Sequence, residues 1–224
     1  MSRGLTSTAV MARRVEPPDS WIISPTPPWA TRALCELLGG RVVLSGLVAS
    51  DPACGELYMA KPLAEYFRAV IASDVHDYGA GQDLVEDFLF PGSEWLADWI
   101  ITNPPFRLGL EFALAALARA VNGVALFIRL QWLESEGRYS ELFSRFPPSL
   151  IAQFVERVPL VKGRVDPEAS VATAYVWVVW DKAYQGPTRF EWIAPCRKKL
   201  ERADDYPPRA DAAPAALPLF GGAA

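Results

Sequence analysis

The sequence contains few of the residues that build disulfide frameworks or metal sites. Its 224 residues include only three cysteines and one histidine. Cys35, Cys54 and Cys196 are widely separated and odd in number, and no CxxC pair occurs. Disulfide scaffolds and zinc sites usually show even-numbered or closely spaced cysteines. We therefore expect neither a disulfide framework nor a bound metal.

The sequence also lacks an excess of positive charge. It has 22 Lys and Arg residues against 26 Asp and Glu residues, a formal net charge of -4. Proteins that coat nucleic acid through their overall charge are usually basic. Any contact with nucleic acid must therefore come from a local basic patch.

No long hydrophobic run is present. The most apolar stretch, around residues 99–101, is far shorter than a membrane span, and residues 1–21 lack the apolar run of a signal peptide. Hydrophobic residues nevertheless make up 51% of the chain, enough for one large core. We expect a soluble, cytoplasmic protein without a membrane partner.

Apolar runs and helical patterns alternate along most of the chain. The predicted helices span residues 29–38, 56–68, 108–120 and 137–146. One predicted strand ends at residue 50, and the others span residues 69–73, 98–102, 123–130, 150–158, 173–182 and 188–194. This alternation predicts an open, mostly parallel α/β sheet with helices on both faces. The closing strands lie close together without a helix between them and predict an antiparallel hairpin at one edge.

The ends of the chain differ in composition from its middle. Residues 1–20 are polar and are interpreted as a flexible amino-terminal arm. Residues 203–224 are rich in Ala and Pro and are interpreted as a disordered tail. Residues 21–202 are left as one folded domain.

Candidate ligand-binding residues lie where predicted strands end. Ligands of open α/β sheets bind outside the carboxyl ends of the strands. Polar or glycine-containing segments follow these strands at DPACG (51–55), SDV (73–75), EDFL (86–89) and NPPF (103–106). A glycine turn brings backbone amides close to a ligand, and an acid can accept hydrogen bonds from a ribose diol. The order suits a nucleoside-type ligand, although each acid taken alone is more often a turn or a cap.

The NPPF segment is the most specific of these signals. Two consecutive prolines after a buried strand remove two backbone donors and hold the preceding Asn103 in an extended conformation. A purely structural turn more often uses Gly or Asp. The segment therefore favours a functional role.

In these segments the sequence resembles the class I S-adenosylmethionine-dependent methyltransferases. It is most similar to the amino-methyltransferases with an (N/D)PP(F/Y/W) signature, and to DNA adenine-N6 methyltransferases in which the cofactor motifs precede the catalytic one. The resemblance begins with TPPWATRAL (26–34), covers roughly residues 24–182, and implies a Rossmann-like catalytic domain. One departure lies in the DPACG loop, because the family more often has a second glycine where Tyr58 or a neighbour stands here.

The resemblance implies S-adenosylmethionine as the cofactor. It assigns the methionine part to the loop around Asp51, the ribose to Asp74, and the adenine to Asp87 and Phe88. The full set of implied cofactor-binding residues is Thr26, Pro27, Asp51, Ala53, Gly55, Asp74, Val75, Asp87 and Phe88.

The resemblance also implies catalysis by Asn103, Pro104, Pro105 and Phe106. Asn103 and the Pro104 carbonyl would accept hydrogen bonds from the target amine, and Phe106 would stack on the target ring. The lone pair of an aromatic amine is delocalised into its ring, so two acceptors on its hydrogens help to aim that pair at the methyl group. A base in a duplex must be flipped out to reach such a site. No metal or covalent intermediate is required, because positioning and electrostatics carry the reaction.

The substrate is less clearly indicated than the chemistry. NPPF-type signatures also occur in enzymes that methylate RNA bases or a protein glutamine, while the TPPW segment favours DNA. The length leaves little room for a separate recognition domain, as in a compact phage or mobile-element enzyme. The predicted substrate-facing segment, residues 155–171, carries Arg157, Lys162 and Arg164, and Arg13, Arg14 and residues 197–199 add further basic groups. All of these are equally compatible with ordinary solvated charges.

Three hypotheses therefore remain: an adenine-N6 methyltransferase acting on DNA, an RNA base methyltransferase with the same site, and a catalytically inactive binding module. The oligomeric state is not predicted.

Overall fold

The computed structural model describes residues 25–90, 96–160 and 173–206. Within these residues the strands are β1 Val48–Asp51, β2 Ala69–Asp74, β3 Leu84–Val85, β4 Trp99–Thr102, β5 Gly123–Arg129, β6 Leu150–Phe154, β7 Tyr175–Asp181 and β8 Arg189–Ile193. The α-helices are α1 Pro28–Leu37, α2 Gly40–Leu44, α3 Ala60–Leu63, α4 Gly109–Arg119, α5 Glu136–Arg138 and α6 Arg197–Leu200. The predicted arm lies outside the described residues.

The described strands form a single sheet in the order β3-β2-β1-β4-β5-β7-β6-β8. Strand β7 runs antiparallel to both of its neighbours, β5 and β6, and the other pairs are parallel. The predicted open, mostly parallel sheet is confirmed. The predicted antiparallel pair near one edge is also confirmed, in β6 and β7. The last strand, β8, lies outside this pair and runs parallel to β6 at the edge.

The sheet is buried on both faces. All four residues of β4 are buried, with Trp99 and Ile101 in one apolar cluster and Ile100 in the other. The first cluster packs under α1 and the second under α4. Continuous apolar strands of this kind arise because helices cover both faces of a parallel sheet. The predicted helices on both faces are confirmed.

The predicted helix over residues 56–68 is wrong in extent, because only Ala60–Leu63 is helical. The preceding residues form a loop held by tertiary contacts: the Cys54 amide donates to the Ser73 carbonyl at 3.0 Å, and the Gly55 amide donates to Asp74 at 3.0 Å. These bonds outweigh the helical spacing of the segment, and Pro62 removes one donor from the helix.

The carboxyl-terminal region is ordered beyond the predicted boundary of the tail. Ala203–Asp205 forms a short 3-10 turn, so the expected tail does not begin at residue 203. The side chain of Asp205 pairs with the buried Arg32 of α1 at 2.7 Å, and Arg32 also pairs with Glu65 at 2.8 Å. This buried cluster ties α1 to the end of the domain. The remainder of the predicted tail lies outside the described residues.

The strand order reverses between β1 and β4. The chain runs outwards from β1 to β2 and β3, then returns to β4 and β5 on the other side. Ligands of open α/β sheets bind at such a switch point, outside the carboxyl ends of the strands. The register pairs Ser50 with Ile100, so that Asp51 and Thr102 end adjacent strands at this point.

Among the described residues, no helix has the length and hydrophobicity needed to cross a bilayer. The three cysteines are free thiols, and Cys35 and Cys54 are buried. Within the same part of the chain, no group of three or more His, Cys, Asp or Glu side chains could hold a metal ion.

Candidate active site

A hydrogen bond joins the beginning of the domain to the end of β4. The side-chain amide of Asn103 donates to the hydroxyl of Thr26 at 2.9 Å, and Thr26 is 2% exposed. Thr26 precedes α1. This helix begins at Pro28, and proline is favoured at the first helical positions. The contact orients the Asn103 amide, so that its oxygen is the end that can accept a hydrogen bond from a ligand.

The two prolines shape the turn that follows Asn103. Pro104 is buried, and Pro105 is exposed with an extended conformation (φ -52°, ψ 119°). The Pro105 carbonyl accepts from the Leu108 amide at 2.8 Å, which starts the 3-10 turn Phe106–Leu108. The prolines therefore direct the chain away from the sheet immediately after Asn103.

A buried polar pair without hydrogen-bond partners lies at the ends of β1 and β4. Both carboxylate oxygens of Asp51 and the hydroxyl of Thr102 are buried and make no hydrogen bond. Burial raises the pKa of Asp51 to about 7, and the charge of Asp74 adds to this effect. The Thr102 hydroxyl and the Ala53 amide face the carboxylate and lower its pKa, but neither reaches hydrogen-bonding geometry. Such a pair is typical of a site that a polar or cationic ligand completes.

Asp74 holds the loop after β1 against the end of β2. One carboxylate oxygen accepts from the Gly55 amide at 3.0 Å and the other from the His76 amide at 3.1 Å. A carboxylate has about four acceptor positions, so two remain for a ligand. The adjacent Val75 is 53% exposed, where an apolar ring can lie against it.

The glycine that the DPACG loop lacks corresponds to a strained leucine. Leu57 has a φ of 68° and is the one non-glycine residue with positive φ among the described residues. Left-handed conformations favour glycine, because a Cβ crowds the following carbonyl. The departure in this loop therefore falls on Leu57, and the loop keeps a conformation that suits glycine.

Asp87 and Phe88 are adjacent in sequence but differ in burial. Asp87 is exposed, and its carboxylate accepts from the Leu89 amide of its own turn at 2.9 Å. Phe88 is 5% exposed and packs on Phe112, with the Arg119 guanidinium over its ring. The Phe88 ring thus belongs to the core under α4, and its predicted contact with adenine stays a prediction.

Phe106 lies in a group of aromatic and cationic side chains. The Arg129 guanidinium carbon lies 4.6 Å from the centroid of the Phe106 ring. The ring of Tyr175 is 6.2 Å from that of Phe106 and stacks on Phe127 at 5.3 Å. Arg129 ends β5 and is paired with Tyr175 in the antiparallel ladder. One face of Phe106, the predicted stacking surface for a target ring, is therefore covered by a guanidinium.

Charge is divided along the carboxyl edge of the sheet. The segments after β1 and around β3, residues 51–58 and 74–90, carry seven Asp and Glu residues and no Lys or Arg. Arginines end or follow the next strands, at Arg107, Arg129 and Arg157. Glu156 also lies there, but its carboxylate accepts from the amides of Cys196 and Arg197 at 2.6 and 2.8 Å. One half of the edge thus suits a cation and the other an anion.

The predicted substrate-binding arginines and lysine are only partly described. Arg157 is exposed just after β6. Lys162 and Arg164 lie outside the described residues. Sequence reasoning missed Thr102 and Arg129. Thr102 ends the predicted strand 98–102, and Arg129 is the last residue but one of the predicted strand 123–130, so a search of every strand end would have found both.

Cleft size does not locate this site. A cleft of about 770 Å³ lies at the opposite edge of the sheet, between the end of α4 and residues 180–186. Another of about 640 Å³ lies beside the Arg32 cluster and includes Glu56 and Tyr58. The first contains none of the predicted site residues, so the ends of β1, β2 and β4 remain the candidate site.

No protein-family model matches the sequence, and the comparison with curated proteins gives no match. Solved structures do match. One, from Vibrio vulnificus YJ016, is described as the modification subunit of a type I restriction enzyme; it has 17% identity, a TM-score of 0.55, and coverage of 76% of this chain. The match covers 47% of that subunit, so the chain spans about half of its length.

A second similar structure, from Listeria monocytogenes, is described as a class I S-adenosylmethionine-dependent methyltransferase. It has 13% identity and a TM-score of 0.54, and the match covers 76% of this chain and 65% of the other. At such identities the likeness establishes the fold alone.

Proposed function

Since the chain has the fold of class I S-adenosylmethionine-dependent methyltransferases, we propose that it transfers a methyl group from S-adenosylmethionine to an amine. The finer proposal is that the amine is N6 of adenine in DNA. The observation that carries it is the Asn103 amide, oriented by Thr26 at the switch point of the sheet and followed by two prolines.

The residues present fit the proposed cofactor. S-adenosylmethionine carries a sulfonium and an ammonium, and the half of the edge formed by residues 51–58 and 74–90 is acidic. The buried Asp51 carboxylate and Thr102 hydroxyl lack partners that a polar ligand can supply. The cofactor would be held by Asp51, Gly55 and Asp74, with Val75, Asp87 and Phe88 on the adenine side and Thr26, Pro27 and Ala53 on the other. When bound, it supplies an activated methyl group.

Asn103 would orient the target amine. Its side-chain oxygen and the Pro104 carbonyl accept hydrogen bonds from the two amine hydrogens. This arrangement disfavours delocalisation of the lone pair into the ring and directs it outwards from the ring plane. Thr26 contributes by fixing the amide, so that little reorganisation is needed when the amine arrives.

Nucleic acid is the proposed substrate class because arginines surround the target side. Arg107, Arg129 and Arg157 end or follow β4, β5 and β6 at the same edge of the sheet, on an otherwise acidic protein. This is the local patch that phosphate contacts require. The choice of DNA is supported by the TPPW segment, which resembles the amino-terminal cofactor element of DNA adenine methyltransferases. The similar modification subunit is compatible with that choice but does not decide it.

The proposal is tested by transfer of a labelled methyl group from S-adenosylmethionine to unmethylated DNA, followed by analysis of the nucleosides. We expect N6-methyladenine from the wild type and a loss of at least about 100-fold in kcat for Asn103→Ala. Asn122→Ala is a matched control, since Asn122 precedes β5 at the opposite edge of the sheet. Calorimetry should give the same cofactor affinity for all three proteins.

The outcomes separate the alternatives. Label in RNA but not in DNA establishes the RNA methyltransferase instead. Label in protein alone contradicts a nucleic-acid substrate. Absence of cofactor binding by the folded wild type favours the inactive binding module.

A further inference from the structure

The Phe106 ring is the predicted stacking surface for the target, yet it is already engaged. The guanidinium of Arg129 lies over the ring at 4.6 Å, and the ring packs against the apolar clusters on both sides of the sheet. Tyr175 stands 6.2 Å away and is itself stacked on Phe127. The guanidinium therefore lies between one face of the Phe106 ring and any ligand that approaches that face.

We propose that Arg129 is a substrate-positioning residue, and that the target base stacks on its guanidinium plane, with Phe106 supporting that plane from below. The inference rests on the proposed nucleic-acid substrate and names a residue that binds it. Guanidinium groups are planar, always charged and weakly hydrated, and they stack on aromatic faces. Unpaired bases are known to stack on arginine planes as they do on aromatic side chains.

The position of Arg129 supports this role. It ends β5, adjacent to the strand that leads into Asn103, and pairs in register with Tyr175 of β7. Its backbone is thus held by the ladder to β7, and cation–π contact with Phe106 limits the motion of its side chain. A preorganised platform of this kind loses little conformational freedom when a base binds.

The Arg129 guanidinium could instead pair with a phosphate of the substrate. Lysine can replace arginine in phosphate pairing but not in stacking. Lysine keeps the charge and pairs with phosphate, but it has no plane on which a base can stack. Loss of a phosphate contact also weakens the dependence of affinity on salt concentration, whereas loss of stacking leaves it unchanged.

The test compares the wild type with Arg129→Lys and Arg129→Gln. Methyl transfer and binding are measured on a single-stranded oligodeoxynucleotide rich in adenine, over a range of salt concentrations. Stacking predicts that Arg129→Lys loses about 10-fold to 100-fold in kcat/KM with an unchanged salt slope. Cofactor affinity, measured by calorimetry, should equal that of the wild type. Arg189 provides a matched control, because it is exposed, lies over the Tyr184 ring at 5.0 Å and begins β8 at the opposite edge of the sheet; Arg189→Lys should change kcat/KM less than about 3-fold.

A spectroscopic measurement isolates the stacking itself. In an oligodeoxynucleotide with 2-aminopurine at the target adenine, emission at saturation reports the surroundings of the base independently of affinity. We expect a different plateau for Arg129→Lys than for the wild type. If this variant does not fold, Arg129→Gln takes its place, and stacking then predicts a lower kcat/KM and a different plateau with an unchanged salt slope.

Two results overturn the inference while the proposed function stands. One is an Arg129→Lys protein with wild-type kcat/KM and emission. The other is a defect seen only in Arg129→Gln together with a salt slope reduced by about one phosphate contact. If the wild type methylates neither DNA nor RNA, the proposed function fails first, and the inference about Arg129 fails with it.

Discussion

The buried Asp51 carboxyl makes the stability of the protein depend on pH in a defined direction. Burial and the nearby Asp74 raise its pKa from 3.8 to about 7. The folded protein therefore holds this proton more tightly than the unfolded chain does. As pH rises from about 4 to about 7, the unfolded chain loses the proton first, so the free energy of unfolding falls.

The size of the effect follows from the shift in pKa. About three pKa units correspond to about 4 kcal/mol, and about 2.5 kcal/mol of this falls between pH 5 and pH 8. The perturbation is Asp51→Asn, which keeps the shape of the side chain but cannot ionise. Its stability relative to the wild type should therefore increase by about 2.5 kcal/mol over this range.

Urea denaturation of both proteins at pH 5, 6, 7 and 8 measures the difference. Asp204→Asn serves as the control, because Asp204 is exposed and the same substitution should leave the profile parallel to that of the wild type. Parallel profiles for Asp51→Asn and the wild type would show that Asp51 does not titrate in this range, which refutes the reasoning.

The same carboxyl couples to the proposed cofactor. A cationic ligand beside Asp51 lowers its pKa, so binding near pH 6.5 should release up to one proton. Calorimetry in two buffers that differ in ionisation enthalpy measures the released proton. If the wild type and Asp51→Asn release the same number of protons on cofactor binding, the cation does not contact Asp51.

Three further pairs of substitutions test the fold. Gly123→Ala should lower the free energy of unfolding by about 3 kcal/mol, because the added Cβ would lie 2.7 Å from a backbone carbonyl oxygen. Gly46→Ala should have little effect, since a Cβ at that position meets nothing within 4 Å. Asp205→Asn should lower the free energy of unfolding by about 3 kcal/mol, because it leaves the buried Arg32 guanidinium less well paired. Glu191→Gln, in an exposed ion pair, should lower it by less than about 1 kcal/mol. Leu57→Val should destabilise by about 2 kcal/mol and more than Leu57→Gly, because a β-branched side chain tolerates positive φ poorly. Urea denaturation measures all three, and reversal of the order within any pair contradicts the corresponding contact.

The sequence predicted the central strands well because each is an apolar run buried on both faces. The strand predicted at residues 98–102 is found at Trp99–Thr102, and the one predicted at residues 123–130 is found at Gly123–Arg129. Prediction failed where non-local contacts decided the conformation. Residues 56–59 follow the ends of β1 and β2 instead of their own helical spacing, and the helix is confined to Ala60–Leu63.

The order of polar residues at strand ends likewise determined much of the candidate site. Asp51, Asp74 and Asn103 were predicted as site residues because the end of each strand can be located from its apolar or alternating pattern. Parallel strands end at the same edge of the sheet. Their assignments to parts of a cofactor remain predictions.

Only the tertiary structure decided how these residues meet. Thr26 lies 77 positions from Asn103 along the chain, and the structure brings the two side chains to 2.9 Å. The unpartnered state of Asp51 and Thr102 and the position of Arg129 over Phe106 depend on strand order and register as well. The physical reason is that residue type and local pattern fix which groups reach an edge of the sheet, while the partners of each group are chosen by packing between segments far apart in sequence.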